Sequence, residues 1–252
     1  MNIQQIRNAT IKLGYGGKVF LVDPWLQDRG SGGSAPAILP EMQGKRMPLD
    51  ELPFPPAEVL RGVDYLLVSH IHPDHFTPDY LPKDMKLIAQ NGADADKFRA
   101  MGFAHVERFE GDRLALGEIE IARVDGLHGS TPELAAAMGR ASGFILRHPD
   151  EKTLYICGDT LLFDGVLDAI AAYRPDVIAV NCCAATTPMG RLLVDDAELL
   201  RIVEAADGAQ IVATRLDSVN HALLTRRDIR RLKEERGLER LHIPESGEML
   251  RF

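Results

Sequence analysis

Three histidines and one aspartate stand within six residues, directly after a short apolar stretch. The apolar residues 65–69 predict a buried strand, and the cluster that follows has the form H-x-H-x-D-H over residues 70–75. In an extended chain, side chains two residues apart lie on the same side, about 6.6–6.8 Å from each other, so His70 and His72 can converge on one cation. The proline after His72 bends the chain, so Asp74 and His75 can face a neighbouring position. Imidazole nitrogens and carboxylate oxygens bind divalent zinc, manganese or iron, and the cluster therefore predicts a metal site rather than a solvated turn.

Three further potential metal ligands each follow a predicted strand. They are His128, Asp159 and His221. An open α/β architecture places its ligands and reactive groups just past the ends of its strands. Taken singly, a histidine or a Gly-Asp turn is more often structural, but the order of these three after the cluster indicates a metal site built from several strands.

Short apolar strands alternate with helices from Gly62 onward, which predicts α/β layers. No internal repeat is visible, and residues 1–252 are expected to form one domain. A Pro/Gly-rich segment over about 24–62 interrupts the pattern, since it holds seven of the fifteen prolines. Such a stretch is either a lid over a site or a surface excursion. Because it has no histidine or cysteine but contains Trp25 and Phe54, it is expected to contribute to substrate selection rather than to metal binding.

The charge balance restricts the partners. Lys and Arg number 29 against 37 Asp and Glu, and a formal charge of −8 opposes binding to phosphate backbones and anionic membranes. No apolar run approaches the roughly 20 residues of a membrane span, and the first residues lack the order of a signal peptide. The three cysteines form no CxxC pair, which suits the reducing cytoplasm. We therefore expect a cytoplasmic protein with a small-molecule substrate, without nucleic acid or membrane partners; a homo-oligomer stays open.

The order of the potential ligands resembles the metallo-β-lactamase superfamily of metal-dependent hydrolases. The likeness rests on the cluster at 70–75 followed by His128, Asp159 and His221, and it covers about residues 6–250. The opening stretch Ile6–Thr10 and the tail Asn220–Thr225 are similar to the branch that contains bacterial L-ascorbate-6-phosphate lactonase.

This resemblance implies an αββα sandwich with two divalent ions, zinc or manganese, at one edge between the sheets. One ion would be held by the ligands His70, His72 and His128. The second ion would be held by Asp74, His75 and His221, and Asp159 would bridge both. Two ions about 3.5–4 Å apart activate water near neutral pH, and Asp74 is the candidate catalytic residue that orients this nucleophile.

The leading functional hypothesis is a hydrolase that uses this dinuclear site against a small ester, lactone or sugar-phosphate lactone. A phosphodiesterase acting on a small-molecule or lipid phosphodiester is the alternative. A nuclease and a non-hydrolytic metal-binding protein have less support. The basic run over 226–236 is interleaved with acidic and apolar residues, as in the solvated face of an amphipathic helix.

Several other residues are expected to be structural. His105, His148 and His242 have no ligand-like neighbours and are interpreted as structural or surface residues. The three cysteines are interpreted as packing residues. For Asp23, which ends a strand, two interpretations stay open: it orients metal-binding histidines, or it is only a turn residue.

Overall fold

Two seven-stranded β-sheets form the centre of the computed structural model, which describes residues 1–252. The strands are β1 (Asn2–Arg7), β2 (Thr10–Tyr15), β3 (Lys18–Val22), β4 (Tyr65–Val68), β5 (Lys86–Ala89), β6 (His105–Arg108), β7 (Arg113–Leu116), β8 (Ile119–Asp125), β9 (Ser142–His148), β10 (Glu151–Ile156), β11 (Val177–Asn181), β12 (Thr186–Thr187), β13 (Gly190–Arg191), β14 (Gln210–Thr214), β15 (Leu241–His242) and β16 (Met249–Arg251). The α-helices are α1 (Pro56–Leu60), α2 (Gly92–Ala100), α3 (Pro132–Met138), α4 (Asp164–Tyr173), α5 (Asp196–Ala205) and α6 (Arg226–Arg236).

The strand order is β16-β1-β2-β3-β4-β5-β6 in the first sheet and β15-β14-β11-β10-β9-β8-β7 in the second. Strands β3 to β6 run parallel to one another, and so do β10, β11, β14 and β15. Parallel neighbours end at the same edge of a sheet, so the residues that follow them come together there. The carboxyl ends of β4, β10 and β14 are therefore the places where the predicted ligands can meet.

Three apolar clusters define the layers. One cluster contains residues of both sheets, such as Leu67 and Ile88 from the first and Leu146 and Val212 from the second, so the sheets pack face to face. A second cluster packs α2 against the outer face of the first sheet. The third packs α4, α5 and α6 against the outer face of the second sheet. The αββα sandwich expected from the sequence is confirmed.

The Pro/Gly-rich segment is mostly irregular, but it is tied to the core. A short 3₁₀ helix at Pro40–Met42 and helix α1 lie within it. Trp25 is 1% exposed and packs in the largest apolar cluster, with the guanidinium of Arg7 over its ring at 5.0 Å. Trp25 is therefore a core residue, and the expectation that it could cover a site is wrong.

The last helix begins with a capping box. In α6 the Thr225 hydroxyl accepts from the amide of Asp228, and the Asp228 side chain accepts from the amide of Thr225, which forms a capping box. Most of its arginines are exposed and lie among acidic residues. None of the helices in the structure has the length and apolar character that crossing a membrane requires.

Candidate metal centre

The potential ligands come from the ends of strands in both sheets. The segment 70–75 follows β4, His128 follows β8, Asp159 follows β10 and His221 follows β14. All seven sequence-predicted ligands are buried except His72, which is partly exposed. The fold thus gathers polar groups in a place that is largely shielded from water.

Asp23 organises the start of the cluster. Its Oδ1 accepts from the backbone N–H of Ser69 at 2.7 Å, and its Oδ2 lies 2.7 Å from the Ser69 hydroxyl and 2.8 Å from Nδ1 of His75. Because the Ser69 hydroxyl donates to Asp23, it can accept from Nδ1 of His70, which lies 3.0 Å away. This arrangement leaves Nε2 of His70 free to bind a cation. Of the two interpretations that the sequence left open, the structure favours the orienting one.

Three histidines form one compact group of nitrogen donors. Nε2 of His70 lies 2.9 Å from Nδ1 of His72, and the donor atoms of His70, His72 and His128 all lie within 4.8 Å of one another. Nδ1 of His128 faces the carbonyl of Leu192 at 3.2 Å, so its Nε2 is the nitrogen that faces Asp159, at 3.6 Å. Bonds of 2.0–2.2 Å to a tetrahedral zinc ion place the donor atoms about 3.3–3.6 Å apart. The group fits one four-coordinate cation with small adjustments.

Burial keeps these imidazoles neutral. It lowers the pKa of His70 well below its usual value and lowers that of His128 to about 4. Burial also lowers the pKa of His72. Metal ions bind the neutral imidazole, so these residues do not have to lose a proton near neutral pH before they bind a cation.

Asp159 lies at the centre of the site. Its Oδ1 accepts from Nδ2 of Asn181 at 2.7 Å, and Oδ1 of the same Asn181 side chain accepts from the hydroxyl of Thr214. Its Oδ2 lies 3.1 Å from Nε2 of His75 and 3.9 Å from Nε2 of His70. Burial opposes ionisation, yet the positive charge of Arg215 holds the pKa of Asp159 well below its usual value. The carboxylate is therefore charged and directed at the histidines.

A buried arginine lies among the residues that the resemblance assigns to a second ion. Nη2 of Arg215 lies 2.5 Å from Oδ2 of Asp74 and 3.3 Å from Oδ2 of Asp159, and Nη1 contacts Nε2 of His75. His221 is 5% exposed, and its Nδ1 is buried without a hydrogen-bond partner. Neither Asp74 nor His221 belongs to a compact group of donor atoms, although His75 forms one with His70 and Asp159.

The sequence contained signals for two of the residues that were missed. Arg215 stands directly after β14, and a charged residue after an apolar strand was the feature that singled out Asp159. Asn181 is the last residue of β11, in the same kind of position. Serine is too common at strand ends for Ser69 to have been recognised in this way.

A cleft of about 430 Å³ opens beside His70 and His72. Its other lining residues come mainly from α2 with its N-cap and from the end of α3 with the residues after it, and they include Asn91, Asp94, Lys97, Met138 and Arg140. Lys97 and Arg140 are exposed and pair with acidic neighbours. The cleft gives a small molecule access to the partly exposed side of the histidine group.

The remaining histidines lie outside this site, as expected. His105 is exposed in β6, His148 packs edge-on against Tyr15, and Nε2 of His242 lies 2.7 Å from Oε1 of Gln210. The cysteines Cys157, Cys182 and Cys183 are free and fully buried. None of these six residues belongs to the metal-like donor groups.

Comparisons with known proteins identify a matching family and several relatives of this chain. Residues 19–214 match the model of the beta-lactamase superfamily domain. The UPF0173 protein YddR of Bacillus subtilis is 36% identical over the whole of both chains, and a UPF0173 metal-dependent hydrolase of Roseobacter denitrificans is 28% identical, covering 70% of this chain and 71% of that one.

Solved structures resemble the whole chain as well. The isothiocyanate hydrolase from Delia radicum gut bacteria has a TM-score of 0.94 and 33% identity, and the match covers 100% of this chain and 99% of that one. A protein of Veillonella parvula, described as a possible metal-dependent hydrolase, also has a TM-score of 0.94, with 29% identity and the same coverage. The narrower likeness to the ascorbate-6-phosphate lactonase branch stays a prediction.

Proposed function

The chain belongs to the beta-lactamase superfamily and, within it, to the UPF0173 metal-dependent hydrolases, and we propose that it hydrolyses a small molecule at an electrophilic carbon. One observation carries this proposal: three histidine nitrogens, kept neutral by burial, converge beside a charged aspartate, and two of these histidines, His70 and His72, line an open cleft. His70, His72 and His128 would hold a divalent cation, and Asp159 would complete its ligands.

Each group of the chain then has a defined task. A divalent cation bound here supplies Lewis acidity, which makes hydroxide available from water near neutral pH. Asp23 and Ser69 keep His70 in the tautomer that presents Nε2, and the Leu192 carbonyl does the same for His128. Asp74 is the candidate group for orienting the nucleophile. No serine or cysteine nucleophile is needed, which agrees with the burial of all three thiols.

The substrate class is a carbon electrophile. An isothiocyanate presents such a carbon between nitrogen and sulfur, and an ester or lactone presents it as a carbonyl. The full-length likeness to an isothiocyanate hydrolase makes isothiocyanates the first substrates to test, and the lactones and esters expected from the sequence are the second. The open cleft suits a small molecule, and we propose neither a nucleic-acid nor a membrane partner. Cytoplasmic location and oligomeric state stay predictions.

Zinc and manganese are the metals expected from the family resemblance. A ligand set of three imidazoles and one carboxylate suits zinc well, since imidazole binds zinc more readily than it binds manganese. The two-ion arrangement also needs Asp74, His75 and His221 to be available as ligands. Arg215 contacts both Asp74 and His75, and these contacts bear on the number of ions that the site can hold.

A substrate panel tests the proposal. Purified protein would be assayed with aryl and alkyl isothiocyanates, γ-lactones, aryl esters and a nitrophenyl phosphodiester, before and after chelation and after return of zinc or manganese. We expect turnover of at least one carbon electrophile that chelation abolishes and metal restores. His72→Ala should lose this activity, whereas His105→Ala, which removes an exposed histidine outside the site, should keep it.

Two results would reject the proposal. Hydrolysis that persists unchanged after complete removal of metal would show that the histidine group is not the source of the activity. Turnover of the phosphodiester alone would favour the phosphodiesterase alternative.

A further inference from the structure

The guanidinium of Arg215 lies where the ligands of a second ion would converge. It contacts three of the four residues that such an ion would need: Asp74 at 2.5 Å, Asp159 at 3.3 Å, and Nε2 of His75. A metal ion needs bonds of about 2.0–2.2 Å to the same atoms. The guanidinium nitrogens and an ion cannot both occupy this small volume, so the residues present fit the first ion but not a second one.

The backbone directs Arg215 into this position. Arg215 has a φ of +61°, in the left-handed region that non-glycine residues seldom adopt. Its backbone N–H donates to the carbonyl of Asn8 at 2.9 Å, and Nδ2 of Asn8 donates to the carbonyl of Asp74, also at 2.9 Å. Asn8 itself has a φ of +52°. Asn8 therefore holds the backbone of both members of the Arg215–Asp74 ion pair. Positive φ values in residues such as Asn8 and Arg215 persist only where the surrounding structure fixes them.

The positive charge of Arg215 also opposes the binding of a second ion. The side chain of Arg215 is 2% exposed, and a guanidinium cannot be deprotonated in a protein near neutral pH. A second divalent ion would therefore stand beside a permanent positive charge in a place shielded from solvent, where like charges repel strongly. The carboxylates of Asp74 and Asp159 already compensate this guanidinium.

We propose that Arg215 replaces the second cation, so that the chain holds one metal ion, in the subsite of His70, His72 and His128. Asp159 then lies between that ion and Arg215, and Asp74 and His75 support the guanidinium instead of binding metal. This inference rests on the proposed function, and it replaces the expectation of two ions with one ion and one arginine.

Metal counting tests the inference and separates it from the proposed function. Purified wild-type protein would be loaded with excess zinc or, separately, manganese, freed of loosely bound ions by gel filtration, and analysed for metal per chain. We expect one ion. Two ions in the wild type would overturn the role of Arg215 but leave the metal-dependent hydrolase standing, whereas no ion would overturn both.

Variants test the cause of the exclusion. Arg215→Ala frees Asp74, His75 and Asp159 and should bind two ions per chain, whereas Arg215→Lys keeps the charge and should bind one. Arg240→Ala is the matched control, since Arg240 contacts the backbone carbonyls of Ala206 and Ala209 and none of the site residues. A folded Arg215→Ala protein that still binds one ion would overturn the inference, as would two ions in Arg215→Lys. If Arg215→Ala does not fold, the wild-type count remains decisive.

Discussion

The carboxylate of Asp23 lies 2.8 Å from Nδ1 of His75, although 52 residues separate them in the chain. The same carboxylate accepts two hydrogen bonds from Ser69, which in turn contacts His70. One residue at the end of β3 thus fixes the orientation of two imidazoles after β4. Such supporting contacts determine how well a metal site is organised before the ion arrives.

Asp23→Asn should weaken metal binding without removing a ligand. The carboxylate oxygens face three donors, the backbone N–H and hydroxyl of Ser69 and Nδ1 of His75. The amide has one acceptor oxygen where the carboxylate has two, so it cannot accept all three bonds, and we expect zinc affinity to fall about 10- to 100-fold. Competition with a chromophoric chelator measures the change. Asp150→Asn, at an exposed hairpin position, is the control and should bind zinc as the wild type does. Equal affinity of Asp23→Asn and wild type would mean that the contacts of Asp23 only shape a turn.

Asp74 and Asp159 should respond differently to substitution. Asp159→Ala removes the carboxylate that faces the histidine group, so we expect loss of the bound ion. Asp74→Asn keeps the size of the side chain and leaves the histidine group intact, so it should keep its ion. Because the amide has no charge and cannot accept a proton, hydrolysis should fall by about 10²- to 10⁴-fold. Elemental analysis and turnover of the same preparations measure both effects. Near wild-type turnover in Asp74→Asn, or full metal content in Asp159→Ala, would show that the roles are misassigned.

Asn220 holds the Pro/Gly-rich segment against the rest of the protein, so substitution of Asn220 should affect substrate binding. The amide group of this residue bonds to the backbone of Ala35 in both directions, at 2.8 and 3.1 Å, and to the carbonyl of Met42. Asn220→Ala removes these bonds, each of which contributes about 0.5–1.5 kcal/mol, and should raise KM by up to about 10-fold at unchanged metal content.

Limited proteolysis would report the same loosening, as faster cleavage within residues 30–47. Ser31→Ala, at an exposed position of the segment, is the control and should leave KM unchanged. An Asn220→Ala variant that loses metal while its KM stays constant would contradict a role of the segment in substrate selection.

The three thiols should be inert in the native protein. Burial raises the pKa of Cys157 and Cys182 far above the usual range and raises that of Cys183 to about 12. Because the thiolate is the reactive form, a disulfide reagent at pH 8 should label no cysteine in native protein and three in denaturant. Rapid labelling of any thiol without denaturant would show that the core around β11 opens on the timescale of the experiment.

The sequence predicts structure and function best where a group of metal-binding residues follows a recognisable strand pattern. The cluster at 70–75 predicted both a strand end and a metal site, because few other reasons place three histidines and an aspartate after an apolar strand. Trp25 was misjudged because its neighbours suggest an exposed loop, while its burial depends on Arg7 and on residues of the second sheet. The meeting of Arg215 with Asp74 depends on a turn in which Arg215 and Asp217 both have positive φ, and no local propensity reveals such a turn.

The position of the bound ion can be measured by anomalous scattering from crystals of the zinc-loaded protein. We expect one peak per chain, about 2.0–2.1 Å from Nε2 of His70, Nδ1 of His72 and Nε2 of His128. We also expect Arg215 to stay paired with Asp74. A peak between Asp74 and His221 with Arg215 displaced, or no peak at the three histidines, would contradict the one-ion site.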